Sequence, residues 1–352
     1  MTRRLSCLLA LMLIVCHTAS AAPRVILMIG DGMGVGQVGL GLDHEPGLNM
    51  AQFPVAGLQQ TASADNRVTD SAAAATCLAT GVRTNNGIIG LSATGDTLRT
   101  VLEKAAARGL GTGLVCTCRV THATPAGFAT HVDHRDKEHF IADQLATAPL
   151  DVLFGYGYGK FLPLGAPGSS RPDSTDLRPL LEKRFVTRAF GPAEYEATTW
   201  RTPALALLDS THGPDAPGRS ISLERMTRDA LALLSEKDGF FLMVEGSRID
   251  WEGHDNDAAG VLAELLDFDK AVGAALDFAR RDGNTLVVVT ADHETGGLTS
   301  PSEGPAWSTK HHTGALVPIL AFGPGSSAFG GIHSNIEVGQ TLISVIEGKP
   351  TR

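Results

Sequence analysis

Five runs of the chain are apolar without alternation, and this constrains the fold more than any other feature. Residues 25–29 form one such run, and "GTGLVCTCRV" (111–120), "FFLMVEG" (240–246), "NTLVVVTADHE" (284–294) and "VPILAFGPG" (317–325) repeat the pattern. A strand with one wet face alternates, whereas a continuous Val/Ile/Leu run reads as a strand buried on both faces of a parallel sheet. Helical patterns lie between them. "TLRTVLEKAAARG" (97–109) ends at a glycine, and "AAGVLAELLDFDKAVGAALDFARRDG" (258–283) is a long amphipathic helix with basic residues in its last turn. Strands alternating with helices predict an α/β fold, a mostly parallel central sheet with helices on both faces. Residues 155–220 break the rhythm with Gly, Pro and Ser, and read as a loop-rich insertion within one domain spanning 22–352.

The first residues stand apart. Arg3 and Arg4, an apolar run from Leu5 to about Val15, and Ala19-Ser20-Ala21 make residues 1–21 a secretory leader, which predicts a periplasmic or secreted protein. No other stretch reaches the roughly 18–20 apolar residues of a membrane span. The net charge of −9 becomes more negative once Arg3 and Arg4 leave, which argues against nucleic acid as a partner. Cys77, Cys116 and Cys118 remain of five cysteines. They allow at most one intrachain disulfide and are too few for a zinc ribbon, so they read as structural or incidental. Cys116 and Cys118, two apart in a strand, should point the same way.

In open α/β sheets, ligands bind beyond the carboxyl ends of the strands. Here those ends carry Asp31, Thr121–Thr124, Glu245–Asp250 and Asp292-His293. "EGSRIDWEGHDND" (245–257) places Asp250 and His254 four residues apart, so one turn of backbone can aim both at one ion. "TADHETGG" (290–297) pairs Asp292 with His293, and "KHHTG" (310–314) places His311 and His312 before another strand. Mixed Asp/His ligation suits zinc. All-oxygen ligands such as Asp31, Thr124 and Glu245 suit magnesium. In "TDSAAAAT" (69–76), Ser71 follows a capping aspartate at a helix start. That octapeptide alone does not decide whether Ser71 is a second cap or a nucleophile with small neighbours, and by itself it favours the cap.

Taken in order, "GDGMG", "VTDSAAAATCLATG", "THATPAGFATH", "MVEGSRIDWEGH", "TADHETGG" and "HHTG" resemble the alkaline phosphatase family across residues 24–346. The resemblance implies an exported phosphomonoesterase with a phosphoserine intermediate on Ser71, and an Arg135 ("HVDHRDKE") that clamps phosphate. It implies two Zn2+ ions, one on Asp250, His254 and His312 and one on Asp31, Asp292 and His293, and one Mg2+ on Asp31, Thr124 and Glu245. His122 stands where the best-known bacterial pattern has an aspartate near the magnesium, which leaves the third ion's identity open. Trp251 stands beside Asp250, where a lysine can occur, and is expected at the substrate. Small-molecule phosphate monoesters are the implied partners, and the family's frequent dimerisation makes a homodimer the expected assembly. The rival readings are a phosphodiesterase or sulfatase of the same superfamily, and an exported phosphate- or zinc-binding protein without catalysis.

Overall fold

A computed structural model describes residues 21–300 and 302–350. The predicted leader 1–21 therefore lies, but for its last residue, outside the described residues. Among them, twelve strands occur: β1 (Arg24–Gly30), β2 (Val55–Gln60), β3 (Gly111–Arg119), β4 (Val152–Tyr156), β5 (Thr187–Ala189), β6 (Ala204–Leu207), β7 (Phe240–Gly246), β8 (Thr285–Thr290), β9 (Glu294–Thr295), β10 (His312–Thr313), β11 (Val317–Phe322) and β12 (Gly331–Ser334). The helices are α1 (Val35–His44), α2 (Ser71–Thr80), α3 (Val101–Ala107), α4 (Ala123–Ala129), α5 (Glu138–Leu145), α6 (Arg178–Arg184), α7 (Pro192–Ala197), α8 (Leu223–Leu234), α9 (Ile249–Asp255), α10 (Ala258–Asp282) and α11 (Asn335–Glu347).

Ten strands form one sheet in the order β12-β2-β11-β8-β1-β7-β3-β4-β6-β5, and β9 pairs with β10 in a separate ribbon. Within the ten-stranded sheet the pairings are parallel except those of β11, which runs against both β8 and β2, and the β9–β10 ribbon is antiparallel. The unbroken apolar runs are explained by the layers on either side. Val25, Leu27 and Ile29 of β1 pack into a cluster with residues of α2, α3, α4 and α11. Ile26 and Met28 pack into the opposite cluster with residues of α1, α8 and α10. Both faces of the central strands are thus covered, as a parallel sheet requires. No helix among the described residues is long and apolar enough to cross a membrane.

The stretch 155–220 holds more regular structure than its composition suggests. β5 and β6 extend the sheet edge beyond β4, and α6 and α7 accompany them. Strands of three and four residues surrounded by Gly, Pro and Ser are too short to leave a periodic signature. "NTLVVVTADHE" divides where the chain turns at Ala291–His293, leaving Glu294 and Thr295 in the ribbon. The helix expected over 97–109 begins at Val101, because the Thr100 side chain and Glu103 form a capping box there.

The alanine run of α2 has a packing cause. Every residue from Ser71 to Ala79 is buried. A Cβ on Gly127 of α4 would lie 2.7 Å from the Ala75 Cβ, and one on Gly339 of α11 would lie 2.4 Å from the Cys77 carbonyl oxygen. Backbone approaches this close call for small residues where the helices meet, so helix packing is one cause of the alanine run. Gly339→Ala should therefore destabilise by about 1–3 kcal/mol from overpacking, despite alanine's helix-propensity advantage of about 1 kcal/mol. Gly39→Ala in α1, where a Cβ meets nothing within 4 Å, should be neutral or stabilising. Thermal melts of the two variants check this pair, and a stabilised Gly339→Ala would refute the packing account.

Candidate active site

The parallel register brings the polar ends of the strands to one edge. Ile29 lies beside Glu245 on one side and Thr290 on the other, and Cys116 lies beside Glu245 on the far side of β7. The chain leaves β1 at Asp31 and β8 at Asp292, so these carboxylates and Glu245 emerge side by side. All three are completely buried.

Histidine tautomers follow from the hydrogen bonds. His254 Nδ1 lies 2.6 Å from the Lys310 carbonyl and His312 Nδ1 3.0 Å from the Thr69 carbonyl. A carbonyl only accepts, so both Nδ1 atoms carry the proton and both Nε2 atoms present lone pairs. Those Nε2 atoms lie 3.2 Å apart, and 3.4 and 3.5 Å from Asp250 Oδ1. Three acceptors thus converge with no proton between them. A second set repeats the arrangement. The Thr295 hydroxyl donates to Asp250 and so accepts from His293 Nδ1 at 3.3 Å. This leaves His293 Nε2 as a lone pair 3.2 Å from Asp292 Oδ2 and 3.6 Å from Asp31 Oδ1. Ser71 Oγ approaches the same nitrogen at 3.3 Å.

A third group holds Asp31, His122 and Glu245, each offering a ligand atom within 4.8 Å of the others. Both Asp31 oxygens, Asp292 Oδ2, Glu245 Oε1 and Thr124 Oγ are buried without a protein hydrogen-bond partner. Buried polar atoms are otherwise almost always paired. Acceptors concentrated in this way, with His254, His312 and His293 each fixed through the other nitrogen, suit divalent cations, since metal-bound histidines are oriented from behind in the same manner. The donor sets fit zinc in the two Asp/His groups and a harder ion among Asp31, Thr124 and Glu245.

Asp70 joins the parts. Its Oδ1 accepts from Ala73 N and caps α2, so the Ser71 hydroxyl is left out of the capping. Its Oδ2 accepts from Gly87 N and from Arg135 Nη1 at 3.0 Å. Arg135 Nη2 lies 3.3 Å from His122 Nε2. His122 is therefore the one sequence-predicted ligand with a ring nitrogen already engaged by an arginine. Trp251 has its ring centroid 6.0 Å from that of His122 and 4.4 Å from that of His212, with Arg248 stacked at 4.9 Å. His311 is exposed and outside all three groups. Sequence reasoning missed Thr295, the Asp70–Arg135 pair and His212. Of these only Thr295 had a signal, its place within "TADHETGG".

The electrostatics follow from burial. Burial and the neighbouring Asp292 and Asp250 carboxylates push the Asp31 carboxyl well above its usual range. Burial with Cys118 and Asp292 does the same to Glu245, and burial raises Asp292. Burial, with His312 beside one and Arg135 beside the other, holds His293 and His122 well below the usual imidazole range. Burial alone would weaken the charge on Arg135, but Asp70 keeps it firmly protonated.

Chelation should therefore lower the melting temperature at alkaline pH and zinc should restore it, by about 4 kcal/mol at a free ion concentration near 1,000 times Kd. In the metal-free chain, folded Asp31, Glu245 and Asp292 hold protons that the unfolded chain releases. Its stability should rise as pH falls from alkaline values through those raised pKa values. Below about pH 6.5 the gain is opposed, because the unfolded chain protonates histidines that buried His122 and His293 keep neutral. Melts of chelated protein against pH test both statements, and a melting temperature indifferent to chelation would contradict the cation reading.

Known proteins are similar to this chain in sequence and in fold. Residues 22–188 and 209–305 match the family model described as alkaline phosphatase. Alkaline phosphatase 3 of Bacillus subtilis is 40% identical over 80% of this chain and 63% of its own length. The chain thus spans less than two thirds of that relative, and the same share of alkaline phosphatase 4 from the same organism. Streptomycin-6-phosphate phosphatase of Streptomyces griseus is 33% identical over 92% of this chain and 90% of its own length. The solved structure of alkaline phosphatase from the Antarctic bacterium TAB5 superposes with a TM-score of 0.86 at 37% identity, covering 93% of this chain and 98% of that one. A variant of that protein with a histidine replaced by aspartate holds magnesium in its M3 site, and superposes at 0.84 with 35% identity over 93% and 99% of the two chains.

Proposed function

The chain belongs to the alkaline phosphatase family, and we propose that it is an exported phosphomonoesterase working through a phosphoserine on Ser71. The observation that carries this reading is the Ser71 hydroxyl set 3.3 Å from the unprotonated Nε2 of His293, within an acceptor-only cluster of buried carboxylates. In this proposal residues 22–352 form the catalytic domain, and the leader-like sequence 1–21 directs export. The relative named for streptomycin 6-phosphate, matched over most of both lengths, supports a phosphorylated small molecule as the substrate class.

Bound ions, two zinc on Asp250/His254/His312 and Asp31/Asp292/His293 and a magnesium on Asp31/Thr124/Glu245, would acidify the serine hydroxyl and neutralise charge on the phosphoryl and leaving oxygens. The rest is done by side chains. Ser71 Oγ forms the bond to phosphorus as the ester oxygen departs, and water later releases phosphate from the serine. Asp70 takes the capping role, so Oγ stays free, and the positive end of α2 favours the incoming phosphoryl charge. Arg135 presents its guanidinium to phosphoryl oxygens, braced by Asp70 and His122 on two of its nitrogens. Trp251, braced by His212 and Arg248, offers an apolar wall to the leaving group.

Ser71→Ala should lower kcat/KM on nitrophenyl phosphate by more than about a thousandfold while the chelator-sensitive melt persists. Acid quenching of the parent with labelled substrate should trap phosphate on Ser71. Label on another residue, or faster turnover of bis-nitrophenyl phosphate than of the monoester, would defeat the reading.

His122 tunes the third ion in this proposal, as the aspartate variant of the TAB5 enzyme with magnesium in its M3 site suggests. His122→Asp adds a hard anionic oxygen and removes an acceptor from Arg135 Nη2. The variant should bind magnesium more tightly and depend on it more for activity. Magnesium titrations of zinc-loaded parent and variant test this, and superimposable activation curves would reject it.

A further inference from the structure

Cys116 and Cys118 are a pair of buried thiols that the proposed reaction leaves unused. Both are fully buried and free. Cys116 is the cross-strand neighbour of Glu245 in the β3–β7 pairing, and its thiol donates to the Cys118 carbonyl at 3.4 Å; the Cys118 thiol has two acceptors in reach, the Arg119 carbonyl at 3.2 Å and Glu245 Oε2 at 3.5 Å. Each of these three side chains offers a ligand atom within 4.8 Å of the other two. Glu245 is wholly buried, and its Oε1 has no protein partner. A core filler would need only size, and the apolar side chains around this pair supply that. Two thiols within reach of one another and of one buried, half-satisfied carboxylate form a donor set instead.

We propose that Cys116, Cys118 and Glu245 form a thiophilic metal site, selective for a soft divalent ion such as zinc or cadmium. Thiolates select such ions over magnesium. Zinc–sulfur bonds of about 2.3 Å in a tetrahedron place the two sulfurs about 3.8 Å apart, which the present spacing reaches by a shift of an ångström or less. Binding breaks two S–H bonds and forms two metal–sulfur bonds, and the two protons leave to solvent. Glu245 Oε2 loses the Cys118 donor and ligates the ion in its place. Glu245 also belongs to the Asp31/His122 group, so the two sites adjoin through one carboxylate. The thiol site does not depend on the phosphatase reading, because its signature is spectroscopic.

The test uses the full chain with Cys7, Cys16 and Cys77 changed to serine, so that Cys116 and Cys118 are the only thiols. The metal-free protein is titrated with cadmium and the near-ultraviolet thiolate-to-metal charge-transfer band is followed. A saturable band with the amplitude of one two-thiolate site is expected, whatever cadmium the Asp/His groups also take up without a band. Cys118→Ser should weaken cadmium binding at least about tenfold, Glu245→Gln should weaken it with the band retained, and Cys116→Ser/Cys118→Ser should abolish the band. Circular dichroism identifies any variant that fails to fold, for which Cys→Ala replacements are then read. The absence of a band in the parent, or equal cadmium affinity in the parent and Glu245→Gln, would overturn the proposal. Ser71→Ala must leave the band unchanged, which separates this outcome from the fate of the proposed reaction.

Discussion

Acceptors meeting without donors are the constraint on which the site depends. Asp250, His254 and His312 turn three lone-pair atoms on one point, and Asp31, Asp292 and His293 do the same beside Ser71. Inside a protein such groups repel one another and lack the hydration they had in water. A buried cation resolves both costs together, and without one Asp31, Glu245 and Asp292 are pushed toward holding protons instead. The fold holds this arrangement through elements that have nothing to do with the ions. The parallel register aligns the strand ends, while the carbonyls of Lys310 and Thr69 and the Thr295 hydroxyl set the tautomers from behind.

Rigidity at the proposed nucleophile comes from packing. α2 is buried along nine residues and is approached closely by glycines of α4 and α11, so the position of Ser71 is set by three helices and the sheet. Asp70 adds a second constraint with one side chain. Its two oxygens tie the start of α2 to Arg135, so the proposed nucleophile and the arginine proposed to meet phosphate share a mount. Arg135 in turn touches His122, and His122 sits near Trp251 and His212. A change at any one of these positions is felt by the others through direct contact.

Patterns local in sequence were readable before the structure. The continuous apolar runs identified β1, β3, β7, β8 and β11, and their acidic ends pointed to the edge where the side chains gather. Spacing brought Asp250 and His254 together on one turn of α9. The reversed direction of β11 was not readable, because an apolar run has no polarity of its own. Neither were β5 and β6, whose few residues carry no period. The packing role of the small residues of α2 was not readable either, because it depends on how closely α4 and α11 approach.

The sequence by itself determined the α/β class, the inventory of donor residues and the family, since these are carried by short ordered motifs and by side-chain period. Tertiary structure alone decided which nitrogen of each histidine carries the proton, which acid caps α2 and holds Arg135, and that two cysteines face Glu245. The reason is physical. A tautomer or an orphaned oxygen is defined by partners as far as 260 residues away, as when Gly32 N donates to Asp292, and no local pattern records which distant groups the fold will bring within hydrogen-bond reach.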